Sequence, residues 1–241
     1  EDRPVIIFDQ LGSGRSGYHT DTTLLKVENF VEQVEALKTS LGLKEFYLHG
    51  HSWGTALALE YYLKYPKGIK AIIFNSPYFS TSLWKADADT LITTLPDSIQ
   101  LAIKTGEKNH DYGSPAYKNA NEVFYKNFGV RKTKLTSELD TSTAKGNEFI
   151  YNYMWGPTEF TAAGTLINYN RVQSLKTIKV PTLFITGEFD EARPVTVKYF
   201  QSLVPNSKFV MIDGAGHGTM HDNKGQNISA VKTFLDSLEL K

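Results

Sequence analysis

Phe46-Tyr47-Leu48-His49-Gly50-His51-Ser52-Trp53-Gly54-Thr55 is the stretch on which the reading of this chain turns. Phe46–Leu48 is a short apolar run of the kind that forms a buried strand. Thr55–Tyr65 has helix-forming composition up to the break at Pro66. Between them, Gly50–Gly54 reads G-x-S-x-G. The pentapeptide alone is a weak signal. Flanked by strand and helix, it has the context of a nucleophile elbow, a sharp turn that lifts a serine hydroxyl above the sheet. The two glycines let the chain turn without a Cβ clash. Ser52 is the candidate nucleophile, and the backbone N–H of Trp53, at the helix start, is a candidate donor to an oxyanion.

Outward from the elbow, strands and helices alternate. Val5–Phe8 reads as a strand ended by the Gly-rich turn Asp9–Gly14. Val27, Phe30, Val31, Val34, Leu37 and Leu41 recur at helical spacing, with Gly42 as C-cap, and Ile69–Phe74 is a further strand. Val180–Thr186 and Lys208–Ile212 read as strands, each followed by a helix, at Val195–Val204 and Ile228–Leu238. This alternation predicts an α/β fold with a mostly parallel sheet flanked by helices. From about residue 78 to 170 it breaks, and the chain turns rich in Tyr, Trp, Asn, Lys and Thr. The expected organisation is a core domain over 1–77 and 171–241, with a mainly helical cap over 78–170 that could serve as a lid.

Composition narrows the function classes. Lys plus Arg equals Asp plus Glu, so the formal net charge of zero argues against a broad nucleic-acid or anionic-membrane surface. The absence of cysteine rules out disulfides, zinc–thiolate sites and a Cys nucleophile. Compartment is left open by this, with the cytoplasm favoured. No apolar run approaches the ~20 residues of a membrane span. Asn227-Ile228-Ser229 fits a glycosylation sequon, of consequence only in a secretory setting.

A serine hydroxyl needs a base to take its proton. In elbow-bearing chains the partners follow in the order Ser, acid, His. His217 lies in Gly214-Ala215-Gly216-His217-Gly218, just after the Lys208–Ile212 strand, and is the candidate base. His221 is a rival. The i,i+4 pair His217/His221 could also hold a metal, but it lacks the glutamate of an H-E-x-x-H site, so no metal or cofactor is expected. Gly187-Glu188-Phe189-Asp190-Glu191 offers three acids after the preceding strand. Asp190 is taken as the group that orients the imidazole. Glu188 and Glu191 read as loop carboxylates. Asp9, Gln10 and Arg15 read as turn-holding residues, and Tyr78, Trp84, Tyr153 and Trp155 as pocket wall or lid core.

Several segments together resemble the proline iminopeptidase (prolyl aminopeptidase) family of α/β-hydrolases, including the tricorn-interacting aminopeptidase type. They are Phe8–Ser16 (FDQLGSGRS), Gly50–Gly54, Trp155–Phe160 (WGPTEF), Gly187–Glu191 and Gly216-His217, in order along nearly the whole chain. The resemblance implies an α/β-hydrolase fold with a cap, and a role for two acids. Glu159 and Glu191 occupy the positions at which the tricorn-interacting type binds the substrate's free α-amino group. A carboxylate suits that task, because it forms charge-assisted hydrogen bonds to an ammonium.

The family also carries an H-G-G-P-G segment that completes the oxyanion hole, and no such segment occurs here. The resemblance therefore implies N-terminal strands missing from this chain, one of them between Val5–Phe8 and Phe46–Leu48. An N-terminal segment of the same protein is then expected to complete the fold.

The leading expectation is a serine aminopeptidase that releases an N-terminal residue, proline first, from short peptides or amino-acid amides through an acyl-enzyme. A small-molecule esterase, lactonase or amidase on the same scaffold is the alternative. A non-catalytic ligand-binding homologue is the second alternative.

Overall fold

The computed structural model describes residues 3–132 and 145–239. Four parallel strands form one sheet in the order β1 (Phe46–His51), β2 (Ile69–Asn75), β3 (Thr182–Gly187) and β4 (Ser207–Ile212). β2 and β3 are central, and their apolar, β-branched runs IKAIIFN and TLFITG are buried nearly throughout. That continuity is expected of strands covered on both faces.

The two faces separate by alternation. Ile72, Phe74 and Phe184 point to one side. There they pack with Phe30 and Val31 of α1 (Val27–Ser40), with α2 (Trp53–Lys64), and with Val197 and Phe200 of a later helix (Pro194–Ser202). Ala71, Ile73, Leu183 and Ile185 point to the other, against Phe234 and Leu235 of the last helix (Lys224–Glu239). Gly42 ends α1 in the left-handed conformation expected of a C-cap (φ 63°).

Between β2 and β3 the described chain is helical: α3 (Thr81–Ile92), α4 (Asp97–Asn109), α5 (Pro115–Phe124), a π-helical turn (Tyr125–Gly129) and α6 (Glu148–Met154). Local chemistry sets the starts. Ser80 and Asn147 cap α3 and α6 with their side chains, and α5 has Ser114 as cap followed by Pro115. These helices hold a core of their own, with Ile103, Tyr117, Phe124, Phe128 and Phe160. Residues 133–144 of the expected cap lie outside the described residues.

The Val5–Phe8 expectation needs correction: this run is not a strand. It pairs with no described strand, and Val5 and Ile7 are 81 % and 87 % exposed. β-favouring composition cannot form a strand without a ladder partner for its backbone groups. β1 bonds to β2 on one edge, and its other edge meets no strand among the described residues. Arg3 tethers the start of the segment to the last helix through Asp236 (2.7 Å) and Glu239 (2.6 Å). No described helix is long and apolar enough to cross a membrane.

Phe184 is fully buried, its ring 5.4 Å from that of Phe74 on the adjacent strand. Phe184→Ala is expected to cost about 3–5 kcal/mol of stability. Chemical denaturation measures this, and a loss below about 1 kcal/mol would contradict the packing described.

Candidate active site

The elbow forms as the sequence predicts. β1 ends at His51, α2 begins at Trp53, and Ser52 lies between them at φ 53°, ψ −125°. A non-glycine residue in this region carries on the order of 1–3 kcal/mol of strain. The neighbours hold it there: Ser52 N donates to Asn75 O (3.0 Å), and Thr55 N and Oγ1 donate to Ser52 O (2.8 and 2.7 Å). Only one of the two motif glycines is required by contact. A Cβ on Gly50 would meet Gly54 O at 2.2 Å, whereas a Cβ on Gly54 would meet nothing within 4 Å. As the first residue of α2, Trp53 has an N–H with no intrahelical acceptor.

The candidate base and acid meet. His217 Nδ1 is 2.8 Å from Asp190 Oδ1, and both residues are buried. Asp190 also accepts from Ser76 Oγ (2.6 Å), Gly187 N (3.0 Å) and Ala192 N (2.8 Å). Burial pushes its carboxyl pKa up, but His217 and these donors outweigh burial and hold it below the ordinary value. Burial likewise depresses His217, but the carboxylates of Glu191 and Asp190 more than offset it and raise its pKa to about 9. His217 Nε2 is buried and makes no hydrogen bond among the described residues.

Glu191, next in sequence, sits in the opposite environment. It is 1 % exposed, and neither carboxyl oxygen has a hydrogen-bond partner among the described residues. Its Oε1 is 3.8 Å from His217 Nδ1. Burial, then the nearby Glu159 carboxylate, drive its pKa well above the usual range.

Glu159 lines a cavity of about 710 Å³ together with Ser52, Trp53, Tyr78, Trp84 and Trp155. The segment around Glu159 is folded tightly on itself. Trp155 Nε1 donates to Thr158 O (2.9 Å), a Cβ on Gly156 would meet Thr161 O at 2.1 Å, and Phe160 is anchored in the helical core. Trp84 Nε1 donates to Glu159 O (2.9 Å). Tyr78, Trp84 and Trp155 pack edge to face in the cavity wall, while Tyr153 stacks on Phe149 and does not line it.

The other candidates separate cleanly. Glu188 accepts from Gly214 N (2.9 Å) and braces a loop. Asp9 accepts from Arg15 N (3.0 Å) and Nε (3.4 Å) and holds its turn. Gln10 goes further than the turn, because its Oε1 accepts from Trp53 Nε1 (3.3 Å) at the cavity wall. His221 stands in the short helical turn Thr219–Asp222, and no metal-holding group of three acidic, His or Cys side chains occurs among the described residues. The Asn227 amide is buried and donates to Thr219 Oγ1 (3.0 Å), so the folded chain offers no glycosylation acceptor there.

Two residues near His217 were not identified from the sequence. Ser76, also at positive φ (50°), lies at the C-terminal end of β2 and donates to Asp190. Its place at the end of a central parallel strand was the available signal. His51 donates from Nε2 to His217 O (2.9 Å), and burial, then the charge of His217, push its pKa down to about 4.

Comparison with known proteins agrees with this fold. Residues 1–224 match the family model for the alpha/beta hydrolase fold, which places the chain among the α/β-hydrolases. A proline iminopeptidase of Heyndrickxia coagulans is 40 % identical over 239 residues, covering 99 % of this chain and 83 % of the relative. A proline iminopeptidase of Lactobacillus helveticus (strain DPC 4571) is 34 % identical over 236 residues, covering 97 % and 80 %. Among solved structures, the proline iminopeptidase of Mycobacterium smegmatis superposes with a TM-score of 0.88 at 28 % identity, covering 96 % of this chain and 79 % of that one. Within the α/β-hydrolases, then, the chain belongs to the proline iminopeptidase family, and it is a hydrolase.

The electrostatics make a checkable statement. His217 should titrate with a midpoint near 9 in an NMR titration of its imidazole. Asp190→Asn removes the ionised carboxylate that accepts from Nδ1 and stabilises the imidazolium, so the midpoint should fall. An unchanged or higher midpoint would contradict the charge balance described.

Proposed function

We propose that this hydrolase is a serine aminopeptidase that releases N-terminal proline from short peptides or amides. The observation that carries the reading is Glu191. It is a buried carboxyl without a hydrogen-bond donor among the described residues, beside His217 and within electrostatic reach of Glu159 at the cavity. An unsatisfied buried acid is costly, and a substrate ammonium would supply both the charge and the donors it lacks. The kinship with proline iminopeptidases supports the same assignment.

In this mechanism Ser52 Oγ attacks the carbonyl carbon of the first residue while Nε2 of the neutral form of His217, which gains population as the pH rises toward about 9, takes its proton. Asp190 accepts from Nδ1–H, which fixes the tautomer and stabilises the imidazolium. The N–H of Trp53 donates to the developing oxyanion. His217 then protonates the leaving amine, the C–N bond breaks, and an acyl-enzyme remains. Water, deprotonated by His217, attacks the ester and frees the amino acid and Ser52. Glu159 and Glu191 hold the α-amino group, so only a free N-terminus is positioned for attack. The aromatic wall of Tyr78, Trp84 and Trp155 gives the ring of the first residue an apolar surface.

Turnover of prolyl, alanyl and N-acetylprolyl arylamides tests the reading. Acetylation should lower kcat/KM by about 10–100-fold, the value of a charge-assisted hydrogen bond or two. Glu159→Gln and Glu191→Gln should lower it comparably for the free prolyl substrate and hardly at all for the acetylated one. Ser52→Ala should lose on the order of 10⁴-fold or more in kcat. Equal turnover of free and acetylated substrates would refute amine recognition.

A further inference from the structure

The mechanism above uses the side chain of His217, but the backbone that carries it is held from the opposite side by the helical insertion. His217 N donates to Phe128 O (2.7 Å) and Gly218 N donates to Gly129 O (2.9 Å). Those carbonyls close the π-helical turn Tyr125–Gly129. Carbonyls at a helix end have no partner of their own, and here the histidine loop supplies the donors. π-turns are rare and concentrate at functional sites.

Asp222 spans both sides of this contact. Its carboxylate accepts from Gly216 N (2.9 Å) in the histidine loop, and from Arg131 N (3.0 Å) and Lys132 N (2.8 Å) just past the π-turn. The Arg131 side chain repeats the link: Nε donates to Gly214 O (3.1 Å), Nη1 donates to Asn127 O (2.6 Å), and the guanidinium lies 3.9 Å from the Phe189 ring centroid. The fit leaves no slack at Gly216, where a Cβ would meet Gly129 O at 2.6 Å and Phe128 O at 2.7 Å. Phe128 is buried in the helical core against Phe124, their rings 5.0 Å apart, so the seat is as rigid as that core.

We infer that Asp222 is a positioning residue for the reaction: with the π-turn it clamps the loop Gly214–Gly218 to the helical insertion and so sets the place of the His217 imidazole. This rests on the assignment of His217 as base. Without the clamp, three backbone N–H groups lose a charged acceptor and the loop loses its registration against Phe128 and Gly129. The substrate-binding carboxylates Glu159 and Glu191 do not touch Asp222, so the defect should appear in the chemical step.

The experiment measures kcat and KM for a prolyl arylamide, the rate at which a fluorophosphonate labels Ser52, and thermal unfolding. The variants are Asp222→Ala, Asp222→Asn, Gly216→Ala and His217→Ala. Displacing a catalytic group by about 1 Å can cost on the order of 100-fold. Asp222→Ala is therefore expected to lower kcat and the labelling rate together by about 10–100-fold, with KM within about three-fold of wild type. Asp222→Asn keeps one accepting oxygen and should fall between. Gly216→Ala breaks the seat from the other side and should show the same kcat-specific loss, which keeps the inference testable if Asp222→Ala proves too unstable to assay. If His217→Ala is inactive while Asp222→Ala and Gly216→Ala turn over as wild type, the clamp is refuted. The same holds if their losses match only the fraction unfolded. If His217→Ala itself keeps wild-type labelling and turnover, the assignment of the base fails instead.

Discussion

A carboxylate buried without water is tolerable only when charged donors and backbone N–H groups surround it. Asp190 meets that condition through His217, Ser76, Gly187 and Ala192. Those partners come from three places in the chain: the end of β2, the β3 turn and the loop after β4. Satisfying one negative charge therefore draws the C-terminal ends of three strand segments into a single arrangement. The geometry of the site follows from it. Ser76 accepts a strained backbone to reach Asp190, and the His217 ring is fixed through Nδ1, leaving Nε2 available.

Adjacent in sequence, Glu191 is treated in the opposite way. It is as buried as Asp190 but receives no donor among the described residues. Two neighbouring acids thus have their proton affinities driven apart by environment alone, one held ionised and one pushed toward the neutral form.

Much of this was readable in the linear chain. The strands β1 to β4 and the helices that flank the sheet follow from apolar runs and Pro and Gly breaks, because each depends on residues a few positions apart, whereas the insertion between β2 and β3 reads only as mainly helical. Ser52, His217 and Asp190 stand out as candidates because they follow strand ends in a fixed order, and the structure brings Asp190 and His217 together. Val5–Phe8 misled, because composition records a preference for β-structure and says nothing of a neighbouring strand. Gly54 misled in a smaller way, since a motif glycine need not be a steric requirement.

Ser76, His51 and Asp222 belong to a different category. Apart from the place of Ser76 at the end of a central strand no local signal marks them, and their hydrogen bonds depend on the folded chain: Ser76 to Asp190, His51 to the His217 carbonyl, and Asp222 to the amide groups of Gly216, Arg131 and Lys132. The sequence by itself determined the α/β alternation, the elbow and the identity of the acids and histidine available for chemistry, since these rest on local sterics and short-range periodicity. Only the tertiary structure decided which acid would be ionised and which left unpaired, and how the helical insertion grips the histidine loop. Burial and hydrogen-bond partners arise from long-range packing, which no short window of residues contains.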